Sequence, residues 1–88
     1  MSLERIIIDI REPYEYQSGH VEGAINLPPS ELLSGAEKLK DVKKGSELII
    51  YCMTGSRSDV SIQILKRMGF TNLVNGINAD HVTKNYLS

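Results

Sequence analysis

Two short runs of apolar, mostly β-branched residues constrain the fold of this chain most strongly: Ile6–Ile8 and Leu48–Tyr51. Each run is apolar at every position, whereas a strand with one face in solvent would alternate apolar and polar residues. Strands that are buried on both faces occur almost only in parallel sheets covered by helices. We therefore predict an α/β fold built around a parallel sheet.

Helical patterns alternate with short strands along the rest of the chain. We predict strands at Ile6–Ile8, Ala24–Leu27, Leu48–Tyr51 and Asn72–Val74, with Asn75-Gly76 as a turn after the last one. We predict helical segments at Pro13–Gln17, from Glu31 with Ser30 as its cap, at Ala36–Leu39, at Ser56–Met68 and at Ala79–Leu87. In the longest of these helices, Val60, Ile64 and Met68 recur at four-residue spacing with Leu65 beside them, and they predict its buried face.

The length and composition of the chain narrow the class of protein. Its 88 residues make one domain, residues 1–88, and 41% hydrophobic with 24% charged residues is ordinary for a globular chain. A net charge of −1 argues against a nucleic-acid partner, and no apolar run reaches the roughly 20 residues that cross a bilayer. With one Cys and no signal-peptide pattern, we expect a cytoplasmic protein without an internal disulfide.

The stretch that follows the third predicted strand carries the features of a reactive site. The strand delivers the only Cys of the chain, Cys52, to its carboxyl end, and a short loop containing Gly55 leads into the longest helix. Backbone N–H groups of such a loop form an anion-binding nest, and the helix N-terminus adds its positive dipole end. Arg57 adds a full charge, and three hydroxyl groups can donate to the same anion: those of Thr54, Ser56 and Ser58.

A thiol at the centre of this loop is expected to ionise easily, because the amides and the positive charge favour its thiolate form. The thiolate is the nucleophilic form of Cys. The alternative is a buried structural Cys, which is common. The glycine, the hydroxyl groups and the arginine within six positions of Cys52 favour the reactive interpretation.

The length of the loop separates two chemistries. Four residues lie between Cys52 and Arg57, one fewer than in cysteine phosphatases, whose wider ring of amides encloses a tetrahedral phosphate. A tighter ring better suits a single terminal sulfur bonded to the Cys sulfur. The spacing therefore favours sulfur transfer over phosphoryl transfer.

With these residues in view, the sequence resembles the rhodanese family in its single-domain form. Two motifs carry the resemblance, Cys52–Ser58 and Asp9–Pro28, and it extends to Gly69-Phe70 and Asn75–Ile77. The family implies a small parallel sheet, here of about four strands, with helices on both faces. It also implies a thiosulfate sulfurtransferase activity, in which the catalytic Cys alternates between a thiolate and a persulfide.

The resemblance also implies roles for particular residues. Cys52 would take sulfur from thiosulfate or a similar donor and pass it to cyanide, a thiol or a partner protein, with no metal and no organic cofactor. Main-chain N–H groups would hold the persulfide, namely those of Met53, Thr54, Gly55, Ser56, Arg57 and Ser58. Arg57 would also attract the anionic donor. One departure is that family members often carry a Trp just after the Gly-Ile near the end, where this chain has Asn78 after Ile77.

The remaining polar candidates each have a structural interpretation as well as a functional one. Asp9 and Arg11 follow the first strand and could orient the loop or bind substrate, but an internal ion pair or a cap is favoured. Two His and one Cys this far apart do not predict a metal site. Two other functions stay open: a Cys-based phosphatase or arsenate reductase on the same fold, and a non-catalytic binding module.

Overall fold

The computed structural model describes residues 4–87, and its centre is a four-stranded sheet in which neighbouring strands are parallel. The strands are β1 (Arg5–Asp9), β2 (Ile25–Asn26), β3 (Glu47–Cys52) and β4 (Asn72–Asn78). Their order in the sheet is β2-β1-β3-β4, so β1 and β3 are central. The predicted parallel α/β fold of about four strands is confirmed. The predicted domain range of 1–88 includes residues 1–3 and 88, which lie outside the described residues.

Helical segments connect the strands. They are α1 (Pro13–Ser18), α2 (Pro29–Leu33), a 3₁₀ turn (Glu37–Leu39), α3 (Ser56–Arg67) and α4 (Ala79–Tyr86). The prediction that Ser30 caps the second helix is wrong, because α2 begins at Pro29 and Pro28 occupies the cap position. A proline suits the first helical position, since its missing N–H has no partner to lose there.

Side chains of β3 alternate between two apolar clusters, one on each face of the sheet. The first cluster contains Leu48, Ile50 and Cys52, and the second contains Ile49 and Tyr51. Residues of α2 and α3 complete the first cluster, and residues of α1 and α4 pack into the second. Helices therefore cover both faces, as the resemblance implies, and Cys52 lies on the face that α3 covers.

The buried face of α3 agrees with the predicted one at Leu65 and differs from it at Val60. Val60 is 62% exposed, and the buried residues of the helix are Ser58, Ser61, Ile62 and Leu65. Ile64 and Met68 are partly buried and pack against the same cluster as Leu65, so of the predicted residues only Val60 faces away from it. Ser58 and Ser61 also lie on the buried side, and as small polar residues they add nothing to an apolar pattern.

The fourth strand is longer than predicted and contains the Asn75-Gly76 pair that predicted a turn. Asn75 is opposite Ile50 of β3 and Ile77 is opposite Tyr51, so Gly76 is an extra residue in the ladder, a β-bulge. A Cβ at Gly76 would lie 2.6 Å from Val82 Cγ2 of α4, which leaves no room for a side chain. The glycine therefore marks a close approach between β4 and α4 rather than a chain reversal.

Candidate active site

Cys52 is the last residue of β3, and its side chain is only 2% exposed. Because β3 pairs with β1 on one side and β4 on the other, the strand holds Cys52 in a fixed position. The chain then bends sharply and enters α3 at Ser56, with Gly55 in the cap position. Gly55 has a φ of 94°, a left-handed conformation that favours glycine.

This bend turns backbone amides toward the sulfur. The Gly55 N–H donates to Cys52 Sγ at an N···S distance of 3.1 Å. Burial alone raises the pKa of the Cys52 thiol, but the Ser58 hydroxyl and the amides of Ser58, Thr54 and Gly55 outweigh it. Together they lower the pKa from 9.0 to about 7. A substantial fraction of the thiol is therefore ionised near neutral pH.

Ser58 has an unusual position beside the sulfur. Among residues 4–87, its Oγ is the one buried side-chain nitrogen or oxygen without a hydrogen bond of normal geometry. The hydroxyl is nevertheless close enough to the Cys52 sulfur to lower the thiol pKa. A buried hydroxyl that lacks a well-formed hydrogen bond lowers the stability of the fold, so such groups are rare in native proteins. Ser58 is a donor that is available to a charged sulfur.

The other predicted loop residues are placed at the rim rather than on the sulfur. The hydroxyls of Thr54 and Ser56 face each other at an O···O distance of 3.2 Å in an exposed position. The Met53 side chain is also exposed. Thr54, Gly55 and Ser58 are thus the predicted residues that act on the Cys52 sulfur, and Thr54 does so through its amide.

Arg57 lies at the same rim and is paired with a residue that was not predicted. Its Nη1 and Nη2 donate to the two carboxylate oxygens of Glu15 in α1, at 2.8 and 3.1 Å. The guanidinium, together with the Glu12 N–H, lowers the pKa of Glu15 to about 2. Glu15 also accepts a hydrogen bond from the Glu12 N–H, as part of a capping box at the start of α1. No feature of the sequence around Glu15 indicates its pairing with Arg57.

Asn75 is another contributor that the sequence did not indicate. Its Nδ2 donates to the carbonyl oxygen of Gly55 at 3.0 Å, and its Oδ1 accepts from the N–H of Ile77 at 2.9 Å. One side chain thus connects the bulge of β4 to the loop that follows Cys52. The Asn-Gly pair is a strong local turn signal, which conceals this longer-range contact.

Asp9 and Arg11 form a buried network on the opposite face of the sheet from Cys52. The Asp9 carboxylate accepts bonds from the Arg11 guanidinium, the shortest at 2.7 Å, and from the Tyr51 hydroxyl at 2.8 Å. Arg11 Nη2 also donates to the Gly19 carbonyl oxygen. The hydrogen bond to Asp9 raises the pKa of Arg11, while burial raises the pKa of Tyr51 to about 12. These contacts are those of a structural ion pair, and neither side chain points to the sulfur.

No cluster of three or more His, Cys, Asp or Glu residues among residues 4–87 is arranged to hold a metal ion. Within the same residues, no helix has the length and apolar character that a membrane span requires.

Comparison with known proteins gives a consistent result. The family model of the rhodanese-like domain matches residues 1–79. The chain is 39% identical to thiosulfate sulfurtransferase PspE of Escherichia coli over 69 residues, which cover 77% of this chain and 64% of that protein. It is 32% identical to the putative sulfur carrier protein YrkF of Bacillus subtilis over 69 residues, covering 78% of this chain and 36% of that protein.

Solved structures agree with this fold. An E. coli rhodanese structure has a TM-score of 0.76 at 32% identity, covering 88% of this chain and 89% of that one. The human single-domain sulfurtransferase TSTD1 has a TM-score of 0.71 at 26% identity, covering 86% of this chain and 75% of that one. The chain spans between 36% and 64% of the length of the two curated relatives above. The sheet, the Cys loop and these matches together show that the chain belongs to the rhodanese-like domain family.

Proposed function

We propose that this protein is a sulfurtransferase that moves a sulfane sulfur from thiosulfate or a similar donor to a thiophilic acceptor through a persulfide on Cys52. The observation that carries this proposal is the Cys52 thiol at the end of β3, whose pKa is about 7 because amides and a hydroxyl surround it. An activated nucleophile of this kind suits attack on a polarisable sulfur. The sulfurtransferase named among the relatives supports the same chemistry.

In the first half of the cycle, the Cys52 thiolate attacks the outer sulfur of thiosulfate. A bond forms between Sγ and that sulfur, the bond between the two donor sulfurs breaks, and sulfite leaves with the electron pair. The charges balance, because a thiolate and a dianion give a persulfide anion and a sulfite dianion. No proton has to move, so a thiol that is already ionised needs no separate base.

The loop amides stabilise the persulfide by the same interaction that lowers the thiol pKa. Amides of Thr54, Gly55 and Ser58 already act on Sγ, and the outer sulfur of the persulfide carries the charge one bond farther out. The Ser58 hydroxyl, which has no normal hydrogen bond in the structure, is available to donate to it. The amides of Met53, Ser56 and Arg57 complete the proposed ring.

In the second half, an acceptor attacks the outer sulfur and Cys52 leaves as a thiolate. The acceptor is cyanide, a thiol or a thiol-bearing partner protein. A thiol of low pKa is a good leaving group in such an exchange, so the same amides assist both halves. The proposed cycle needs no metal and no organic cofactor, and it involves neither nucleic acid nor a membrane. We propose this activity for a single rhodanese-like domain in the cytoplasm.

Intact-mass measurement after incubation with thiosulfate tests the proposal. We expect a gain of one sulfur atom in the wild-type protein, its loss on addition of cyanide, and no gain in Cys52→Ser. The Ser61→Ala variant is a matched control, since it also alters a small buried residue of this region. Unmodified wild-type protein of intact fold would contradict the proposal. Hydrolysis of an aryl phosphate without sulfur uptake would favour the phosphatase alternative, and neither reaction would favour a binding module.

A further inference from the structure

The pairing of Glu15 with Arg57 fixes a negative charge at the mouth of the Cys52 site. The side chains are 18% and 38% exposed, so the pair is partly shielded from solvent. Glu15 Oε1 accepts from Arg57 Nη1 at 2.8 Å and from the Glu12 N–H at 3.0 Å. Glu15 Oε2 accepts from Arg57 Nη2 at 3.1 Å. Three hydrogen bonds therefore hold the carboxylate in place at the start of α1.

This arrangement changes the charge that an approaching donor meets. An unpaired Arg57 would present a full positive charge beside Cys52, whereas the pair with Glu15 presents almost none at a distance. The carboxylate stays ionised throughout the working pH range, because Arg57 lowers its pKa to about 2. A Coulomb energy is proportional to the charge of the incoming group, so the loss of attraction is twice as large for a dianion as for a monoanion.

We propose that Glu15 sets the charge preference of the donor site: it neutralises Arg57 and thereby disfavours doubly charged sulfur donors relative to singly charged ones. This inference rests on the proposed sulfur transfer. Glu15 acts through Arg57 and through its own field and does not touch the reacting atoms, so it is a positioning and specificity-determining residue.

Two donors that differ by one charge provide the probe. Thiosulfate is a dianion, and methanethiosulfonate is a monoanion in which a methyl group replaces one oxygen. Both transfer their terminal sulfur to a thiolate. The bond between the two sulfurs breaks, and sulfite or methanesulfinate leaves with the electron pair. Any change in the reactivity of Cys52 affects both donors, so the ratio of their kcat/KM values isolates the effect of charge.

The variant to compare with wild type is Glu15→Gln, which removes the charge and keeps an oxygen for the Glu12 N–H. We expect kcat/KM to rise about 2-fold for methanethiosulfonate and about 4-fold for thiosulfate, mainly through KM, since a partly exposed charge pair contributes a modest energy. The fold-change for thiosulfate is the square of that for methanethiosulfonate, because doubling the donor charge doubles the Coulomb energy. The gain should shrink as salt is added.

Two further variants control for other effects. Glu37→Gln removes an equally negative but well exposed residue that pairs with Lys40, and it should leave both values unchanged. Glu15→Asp keeps the charge and should retain the wild-type donor ratio, which also covers the case in which Glu15→Gln does not fold.

The outcomes separate this inference from the function on which it rests. Equal changes for both donors in Glu15→Gln, or a lower kcat/KM for thiosulfate than in wild type, would show that Glu15 has only a structural role. A donor ratio in Glu15→Asp that departs from wild type would also overturn the inference. Failure of the wild-type protein to take sulfur from either donor would overturn the proposed function itself, and the inference with it.

Discussion

Asn75 Nδ2 donates a hydrogen bond of 3.0 Å to the carbonyl oxygen of Gly55, which ties β4 to the loop beside Cys52. The same carbonyl oxygen also accepts from the Asp59 N–H of α3 at 3.0 Å. The Gly55 N–H points to Cys52 Sγ, and the bond to the Gly55 carbonyl holds the next peptide group, so the two bonds restrain Gly55 from both sides. The geometry of the thiolate site therefore depends on a strand that follows it in sequence by 20 residues.

Replacing Asn75 by Ala is expected to loosen this loop. The thiol pKa of Cys52 should rise toward its ordinary value, because the amides would be oriented less well, and the unfolding free energy should fall by about 1 kcal/mol. The pH dependence of iodoacetamide alkylation measures the pKa. Asn72→Ala, at the exposed start of the same strand, is the matched control. An unchanged alkylation profile in Asn75→Ala would show that the loop holds its shape without this bond.

The reactivity of Cys52 should follow a titration with a midpoint near pH 7. The thiolate alkylates and the thiol does not, and hydrogen bonds from Ser58, Thr54 and Gly55 outweigh burial to lower the pKa from 9.0 to about 7. Rates of iodoacetamide modification between pH 5 and pH 10, read by intact mass, give the midpoint. A midpoint close to 9.0 would mean that the amides do not stabilise the thiolate.

The same pKa shift predicts a dependence of stability on pH. Because the folded-state pKa is below the unfolded-state value, the thiolate contribution is fully present above about pH 9 and is lost as the pH falls through about 7. The urea midpoint of the wild-type protein should therefore rise between pH 7 and pH 9 relative to that of Cys52→Ser. Parallel midpoints for the two proteins over this range would contradict the prediction.

Ser58→Ala should separate reactivity from stability. Removing the hydroxyl is expected to raise the Cys52 pKa and to lower kcat/KM for sulfur transfer, because a donor to the charged sulfur is lost. Stability should change little or increase, since the hydroxyl is buried without a normal hydrogen bond. Urea unfolding and donor kinetics measure the two quantities. Ser61→Ala, three residues farther along α3, serves as the control, and a large loss of stability in Ser58→Ala would assign Ser58 a structural role.

Asp9→Ala should destabilise the fold strongly. The substitution would leave Arg11 largely buried without its carboxylate, and breaking a buried pair in this way costs about 3–5 kcal/mol. Urea unfolding measures the loss, and Asp80→Ala, which removes an exposed partner of Lys84, should have little effect. A Cys52 pKa that shifts in the remaining folded Asp9→Ala protein would instead favour the alternative that Asp9 orients the loop.

Much of this fold is predictable because its strongest signals are local. The unbroken apolar runs of β1 and β3 specify buried parallel strands, and the single Cys before a glycine and a helix start specifies the loop. The face of α3 is not as simple, because Ser58 and Ser61 are buried and Val60 is exposed. A pattern of apolar residues does not predict that small polar residues face the sheet where the helix begins near Cys52.

The missed residues of the site share a physical reason. Glu15 and Arg57 are 42 residues apart in sequence. They come into contact because α1 and α3 both start close to the carboxyl ends of the central strands β1 and β3. Asn75 contacts Gly55 only because the bulge of β4 brings it there. The Asn75-Gly76 pair has a sufficient local explanation as a turn, and the sequence around Glu15 carries no pattern that points to Arg57.

Tyr51 and Cys52 are neighbours in β3, yet they point to opposite faces of the sheet. One face therefore holds the buried ion pair of Asp9 and Arg11 beside Tyr51, and the other holds the Cys52 sulfur of the proposed site. Sites that share no partners contribute nearly additively to stability. Substitutions around the Cys52 sulfur can therefore change its reactivity, while substitutions around Tyr51 on the other face compensate for any stability that is lost.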